Sequence, residues 1–297
     1  MASVLSKGTL FPAELSRELF NLVRGKSSLA VLSGQSPVSF MGNDAFTFNF
    51  DNEVDLVAEN GAKSNGGATI APVTIRPVKI EYGFRTSDEF LTATEEYQLE
   101  ILQAFSDGFA AKAARGLDIM AMHGVNPRTG SASAVIGNNH FDAAVTQTVT
   151  RTTSANADVE SAVALVQGNE HEVTGAAISP TFKGALAAQT YATDGRPIFP
   201  ELAWGGSPQS INGLRTEWNS TVSFGSTPVD HVILGNFRDF FRWGVAKDVN
   251  IEVIEYGNPD NDATAGDLKG HNQVYLRGEM YLGWGILVPG AFARIIP

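Results

Sequence analysis

The spacing of apolar positions changes several times along the chain, and each change predicts a different element. Residues 9–25 place Leu15, Leu19, Leu22 and Val23 on one helical face. Pro12 suits a first helical position, Glu14 the positive end and Gly25 the residue past the last turn, so a short helix is expected here. The small, polar residues that follow, to Phe40, read as an extended arm. From Ala45 the period becomes two. Phe46, Phe48 and Phe50 alternate with Thr47 and Asn49, and Val54 and Leu56 continue the alternation. After a polar, glycine-rich tip at 58–67 a second extended run carries Val73, Ile75, Val78, Ile80, Tyr82 and Phe84, its phase shifted at Pro77. Together these predict one long two-stranded ribbon. An isolated ribbon is marginally stable in water, so it needs a neighbour to lie on.

The period then becomes helical for longer than anywhere else. Thr86-Ser-Asp-Glu89 and Thr92-Ala-Thr-Glu95 are successive capping boxes. After them Tyr97, Ile101, Phe105, Phe109, Ala113, Leu117 and Met120 recur every three or four residues up to Gly124. About 30 residues of helix measure about 45 Å, a spine crossing the molecule. Gly108 and Gly116 within it are expected to allow close packing. Residues 131–155 read as loop and strand. A second helix is expected from an Asn156 cap through Val166, a strand at 176–179, and a helix from Pro180 to about Thr190. Short strands between turns fill 191–228. Strands are expected at 231–234 and 250–256, a polar loop at 257–272, and a final period-two run at 274–288 with Val274, Leu276, Met280 and Leu282.

Composition narrows the function classes. Of 297 residues, 43% are hydrophobic and 18% charged, which excludes a disordered chain. The net charge of −11 excludes bulk attraction to phosphate backbones; Arg24 and Lys26 are the best candidates for a local basic patch. The absence of cysteine excludes disulfides and thiolate chemistry. No stretch reaches the roughly 18 apolar residues of a membrane span. The five histidines, His123, His140, His171, His231 and His271, show no metal-binding spacing. Asn139-His-Phe-Asp142 and Glu170-His-Glu172 read as solvated loops. The segment from Asn236 to Trp243, with Arg238 and Arg242 among aromatics, reads as packed structure rather than a base-stacking surface. No nucleophile elbow or phosphate loop occurs. The expectation is a non-enzyme with no catalytic, cofactor or metal site, and elements that cannot be buried within one subunit point to an assembly.

The order of segments resembles the major capsid proteins of tailed bacteriophages, the Hong Kong ninety-seven type fold shared with encapsulins. Leu10-Phe-Pro12 and the following helix resemble the start of that family's arm. Ile75-Arg-Pro-Val-Lys-Ile80 with Thr86-Ser-Asp-Glu-Phe-Leu91 resembles the second E-loop strand running into the spine. The stretch 118–130, with His123-Gly124 and Asn126-Pro-Arg-Thr-Gly130, resembles the region after it. Asp194-Gly-Arg-Pro197, Ile211-Asn-Gly-Leu214 and Leu234-Gly-Asn-Phe237 resemble the axial (A) domain. Val274-Tyr-Leu-Arg-Gly-Glu279 and Pro289-Gly-Ala-Phe292 resemble the last strands of the peripheral (P) domain. The resemblance implies an α+β capsid fold: an N-terminal arm over 1–44, an E-loop over 45–85, a P domain with the spine over 86–155, an A domain over 156–248 and a return to the P domain over 249–297.

It also implies a shell protein that self-assembles into hexamers and pentamers of an icosahedral head, enclosing double-stranded DNA without sequence-specific contacts. The alternative is an encapsulin-like compartment that loads a cargo enzyme. The chain reaches the arm within about ten residues, without the long charged scaffolding segment of many relatives, so a separate scaffolding protein is expected. A portal and a possible decoration protein are the other expected partners, with assembly in the host bacterial cytoplasm and the virion as destination. Some relatives cross-link an E-loop lysine to a P-domain asparagine. Lys63 with Asn126, Asn138 or Asn139 would be the equivalent, but a plain surface lysine is the preferred reading, because such chemistry needs a buried carboxylate as well.

Overall fold

In the computed structural model, residues 27–297 are described, except 51, 64 and 226–228; the helix expected over 9–25 and the basic pair Arg24 and Lys26 lie outside them. The strands are β1 (Gly34–Gln35), β2 (Asn43–Phe50), β3 (Ala68–Ile75), β4 (Pro77–Ser87), β5 (Thr148–Thr150), β6 (Gly175–Ile178), β7 (Ser210–Ile211), β8 (Leu214–Trp218), β9 (Val232–Gly235), β10 (Phe241–Ile254), β11 (Gln273–Ile286) and β12 (Phe292–Ile296). Among the described residues they form three sheets: β1-β10-β11-β4, β5-β12-β9-β6-β8-β7, and the two-stranded β2-β3.

The spine helix runs from Glu95 to His123. Its N-cap is Thr94, whose hydroxyl accepts from the Tyr97 amide, two residues later than the second capping box suggests. Thr92 instead ends a separate turn of helix, Glu89–Thr92, and donates to the Glu89 carbonyl. Gly124 closes the spine in the left-handed conformation, φ 65°, where a side chain would be strained and would overlap the His140 ring. Phe105, Phe109, Ala113, Leu117 and Met120 are buried as their spacing predicts, whereas Tyr97 at the start of the stripe is exposed. Phe105 and Phe109 lie on the four-stranded sheet over Gly278, where an added Cβ would sit only 3.2 Å from the Phe105 ring. The glycine that permits this close approach is in the sheet. Gly108 faces open space, and the nearest neighbour at Gly116 is an ordinary 3.7 Å away, so close packing is not what those two supply.

The predicted ribbon divides at Pro77. β2 and β3 pair with each other over Asn43↔Ile75 to Phe50↔Ala68, but β4 leaves the ribbon and pairs with β11 from Pro77↔Gly283 to Ser87↔Gln273. Val54 and Leu56 stand beyond the last pair and do not extend β2. The change of partner is physically sensible. β11 is buried on both sides of much of its length and needs a second neighbour, and the alternating Val78, Ile80 and Phe84 of β4 pack against the main core.

The six-stranded sheet separates two cores. On β6 and β9, Ala177 and Ile233 face the core that contains the spine. Ala176, Ile178, Val232 and Leu234 face a second core built with the helices Ala155–Gly168 and Pro180–Ala187. Strands covered on both faces read as continuous apolar runs, which is why 232–234 shows no alternation. The helix expected to be capped by Asn156 starts at Ala155 after Ser154, and the carboxylate of its buried Asp158 turns back to accept from the Thr152 amide and hydroxyl. Residues 236–243 form packed structure as expected, a helical turn at Phe237–Phe240 leading into β10 with Trp243 buried. Among the described residues no helix is long and apolar enough to cross a membrane.

Candidate assembly surface and buried polar centres

A period-two strand places every second residue on one face. Phe46 of β2 and Ile70 of β3 share a face of the ribbon and are 69% and 58% exposed. Beyond the paired strands, Val54 and Leu56 at the tip are 97% exposed. Among the described residues the ribbon is anchored at its base, where Ile75 is buried against Gly283 and Gly285 of β11. An apolar face held away from its own core has the character of an interaction surface. Lys63 is exposed at the tip.

Of the asparagines proposed as partners for Lys63, Asn139 is committed elsewhere: its side chain donates to the Trp284 carbonyl at 2.9 Å and its carbonyl accepts from the Trp284 indole at 2.8 Å. Asn126 accepts from the Arg128 amide within its own turn, and Asn138 is exposed. The polar loop at 257–272 closes around Arg85 of β4. The guanidinium donates to Asp260, Asn258, the Gly266 carbonyl and Gln273, and holds the Asp260 carboxyl down at about 2.

Two buried polar centres were not legible as sites in the sequence. The first is Asp118, fully buried on the spine. Its carboxylate accepts from the Ser27 hydroxyl (2.5 Å), the amides of Ser28 and Leu29, the Asn219 side chain and the Thr221 hydroxyl. Burial pushes this carboxyl up, and the hydrogen bonds pull against that. One side chain thus ties the short arm helix Ser28–Leu32 and the loop at 219–221 to the spine. The available signal was a single charge inside the apolar run 117–122.

The second centre joins the end of the spine to the C-terminal strand. His123 Nδ1 lies 2.9 Å from Asp142 Oδ2, and its Nε2 lies 2.8 Å from the Thr221 carbonyl. Arg294 Nη2 lies 2.9 Å from both Asp142 Oδ1 and Asp230 Oδ1, and its Nε donates to Asp230 as well. The side chains of Asp230, Arg294 and His123 are at most 6% exposed. Asp142 thus belongs to a buried network and Phe141 beside it is fully buried, which corrects the reading of 139–142 as a solvated loop. His140 is half-buried, and burial lowers its pKa. His171, in the other apparent cluster, stays near the surface against the Phe240 ring. Single atoms of His123, Asp142 and Asp230 lie within 4.8 Å of one another, a grouping that could hold a cation, but the Arg294 guanidinium already supplies positive charge between the two carboxylates.

Comparison with known proteins sets these surfaces in context. The model of the Phage capsid family matches residues 7–295. A solved structure from Mycobacterium phage Ogopogo is 32% identical, superposes with a TM-score of 0.77, and is matched over 91% of this chain and 92% of its own. One from Gordonia phage Cozz is 22% identical, with a TM-score of 0.73 and coverage of 91% and 86%. The capsid of a native GTA particle is 14% identical, with a TM-score of 0.63 and coverage of 91% and 89%. The last two share the fold. No curated protein sequence gives a significant match.

Proposed function

The chain belongs to the phage capsid family, and from that premise we propose how it builds its shell. It is a capsid shell protein of the virion, built of many copies of one subunit, and the phage shell is favoured over an encapsulin-like compartment. Its family and neighbours are structural proteins rather than enzymes. In our reading the arm (1–44) and the E-loop (45–85) are the parts that reach neighbouring subunits. The P domain (86–155 and 249–297) carries the spine, and the A domain (156–248) meets its copies at the capsomer axis. Six or five copies form each capsomer of an icosahedral head around double-stranded DNA. A separate scaffolding protein, a portal and a decoration protein are the partners this reading adds, with assembly in the host cytoplasm.

The observation that carries the mechanism is the ribbon. Its strands pair with each other from Asn43↔Ile75 to Phe50↔Ala68, yet Phe46 and Ile70 remain exposed, and so do Val54 and Leu56 at the tip. Burying such surface under a second copy contributes on the order of 25 cal/mol per Å² of apolar area. Repetition around a closed shell multiplies a modest contact into a stable particle.

Deleting residues 62–67 shortens the tip and spares every paired residue of β2 and β3. The variant is expected to keep the circular dichroism and thermal midpoint of the wild-type subunit while electron micrographs show open or irregular assemblies. Regular closed particles from the deletion would remove the ribbon from the mechanism.

A further inference from the structure

The second buried centre contains a histidine whose two ring nitrogens both face acceptors. The Thr221 carbonyl opposite Nε2 can only accept, and the Asp142 carboxylate opposite Nδ1 accepts when ionised. A neutral imidazole carries one N–H, so one of the two contacts would set lone pair against lone pair. Only the imidazolium satisfies both. We propose that His123 is held as a doubly donating imidazolium, and that its network with Asp142, Arg294 and Asp230 is a pH-sensitive joint that weakens the subunit, and the shell built from it, as pH rises above neutrality.

The geometry shows why a proton matters here. The network draws together the last residue of the spine, the turn Phe141–Ala144, the loop carrying Thr221, the approach to β9 and the C-terminal strand. It lies where β12 turns from one core to the other: Phe292 belongs to the core of the spine, and Ala293 and Ile295 to the second. Losing the His123 proton removes a donor from this junction in a site that water does not reach to replace it. Asp230 is placed to act in the same sense. It is fully buried, its Oδ2 has no hydrogen-bond partner, and Asp142 competes with it for one guanidinium.

The titration behaviour supports the sign. For His123, burial lowers the pKa but the bonds to Asp142 and Thr221 outweigh it, so the value is raised from 6.5. Burial and the neighbouring Asp142 push Asp230 up to about 8, with Arg294 pulling against them. A group raised in the fold contributes stability that is present below its ordinary pKa and is lost as pH rises through the folded one. His123 therefore loses its contribution as pH rises above 6.5, whereas Asp230 loses its own progressively from its ordinary 3.8 up to about 8, so the two losses overlap just above pH 6.5.

The other charged groups around the joint do not share that window. His140, beside Asp142, and His231, with Arg151 at 3.5 Å, are both lowered below 6.5 by burial, so their contributions are constant above it. Asp142 is held below its ordinary 3.8 by His123 and the opposing cations despite burial, and it too is constant there.

The test uses full-length protein as assembled particles and as dissociated subunits. Thermal midpoints are followed from about pH 6.5 to about pH 9 for wild type, His123→Gln and Asp230→Asn. The wild-type midpoint is expected to fall across that interval. His123→Gln, which keeps a single donor, should lose about one proton from the slope, and so should Asp230→Asn, which mimics the protonated acid. Should a variant fail to fold, nitrogen-15 NMR of histidine-labelled wild-type protein decides the point. Both His123 ring nitrogens should carry protons at pH 7 and lose one in step with the fall in stability. A neutral His123 ring at pH 7, or a His123→Gln slope equal to wild type, would overturn the proposal.

Discussion

Asp118 shows at the scale of one residue how much a buried charge can organise. Its five donors come from the arm helix, the loop at 219–221 and nowhere on its own helix, so the carboxylate spends its hydrogen-bonding capacity joining distant segments. Replacing it with asparagine keeps the volume but turns an NH₂ group toward groups that themselves donate. At least two of those contacts then become repulsive or unmade, and buried polar groups left unpaired cost about 1–3 kcal/mol each. Asp118→Asn is therefore expected to lower stability by about 2–5 kcal/mol. Chemical denaturation of the purified subunit measures this. Limited proteolysis should show earlier cleavage near Ser27–Leu29, because the arm helix loses its anchor. An Asp118→Asn subunit as stable and as resistant as wild type would show that the arm is held by its apolar contacts alone.

At the scale of the element, the spine helix and the ribbon behave oppositely, and burial explains why. The spine presents Phe105 to Phe84, Phe109 and the floor made by Gly278, with ring centroids 5.5 and 6.2 Å from the two phenylalanines. Phe105→Asp removes that packing, worth about 3–5 kcal/mol by large-to-small comparison, and adds an unpaired carboxylate to a dry site. The expected outcome is loss of soluble folded subunit, read by expression yield and by the absence of a cooperative thermal transition. A soluble, assembly-competent Phe105→Asp protein would place this face outside the core. The ribbon carries the converse expectation, that shortening its tip spares the fold and damages only the shell, because Phe46 and Ile70, among the described residues of its apolar face, belong to neither core.

For the whole molecule, net charge is the relevant quantity. On the proposed reading, a subunit of −11 repeated around a shell would repel the phosphate it encloses, and DNA held loosely could leave through a single exit. Purified capsomers are expected to show negligible binding to double-stranded DNA at physiological salt. Titration across a salt series measures this; tight binding with a steep loss as salt rises would mean many phosphate contacts, and would point to basic patches on the inner surface.

The sequence by itself determined the elements whose signal is local. The spine was legible because a helical stripe and a terminal glycine act within a few residues of each other, and β11 because Val274, Leu276, Met280 and Leu282 alternate. The order of motifs was enough to point to a capsid fold. Only tertiary structure decided the rest. Pro77 marked a change of phase, but the partner that β4 takes depends on the free edge of β11 nearly 200 residues away. A lone Asp118, a His123 at a helix end and an Arg294 in a final apolar run each look unremarkable alone. They become centres because the fold removes water around them and delivers donors and opposite charges from remote segments, and neither desolvation nor long-range pairing has a signature in local spacing.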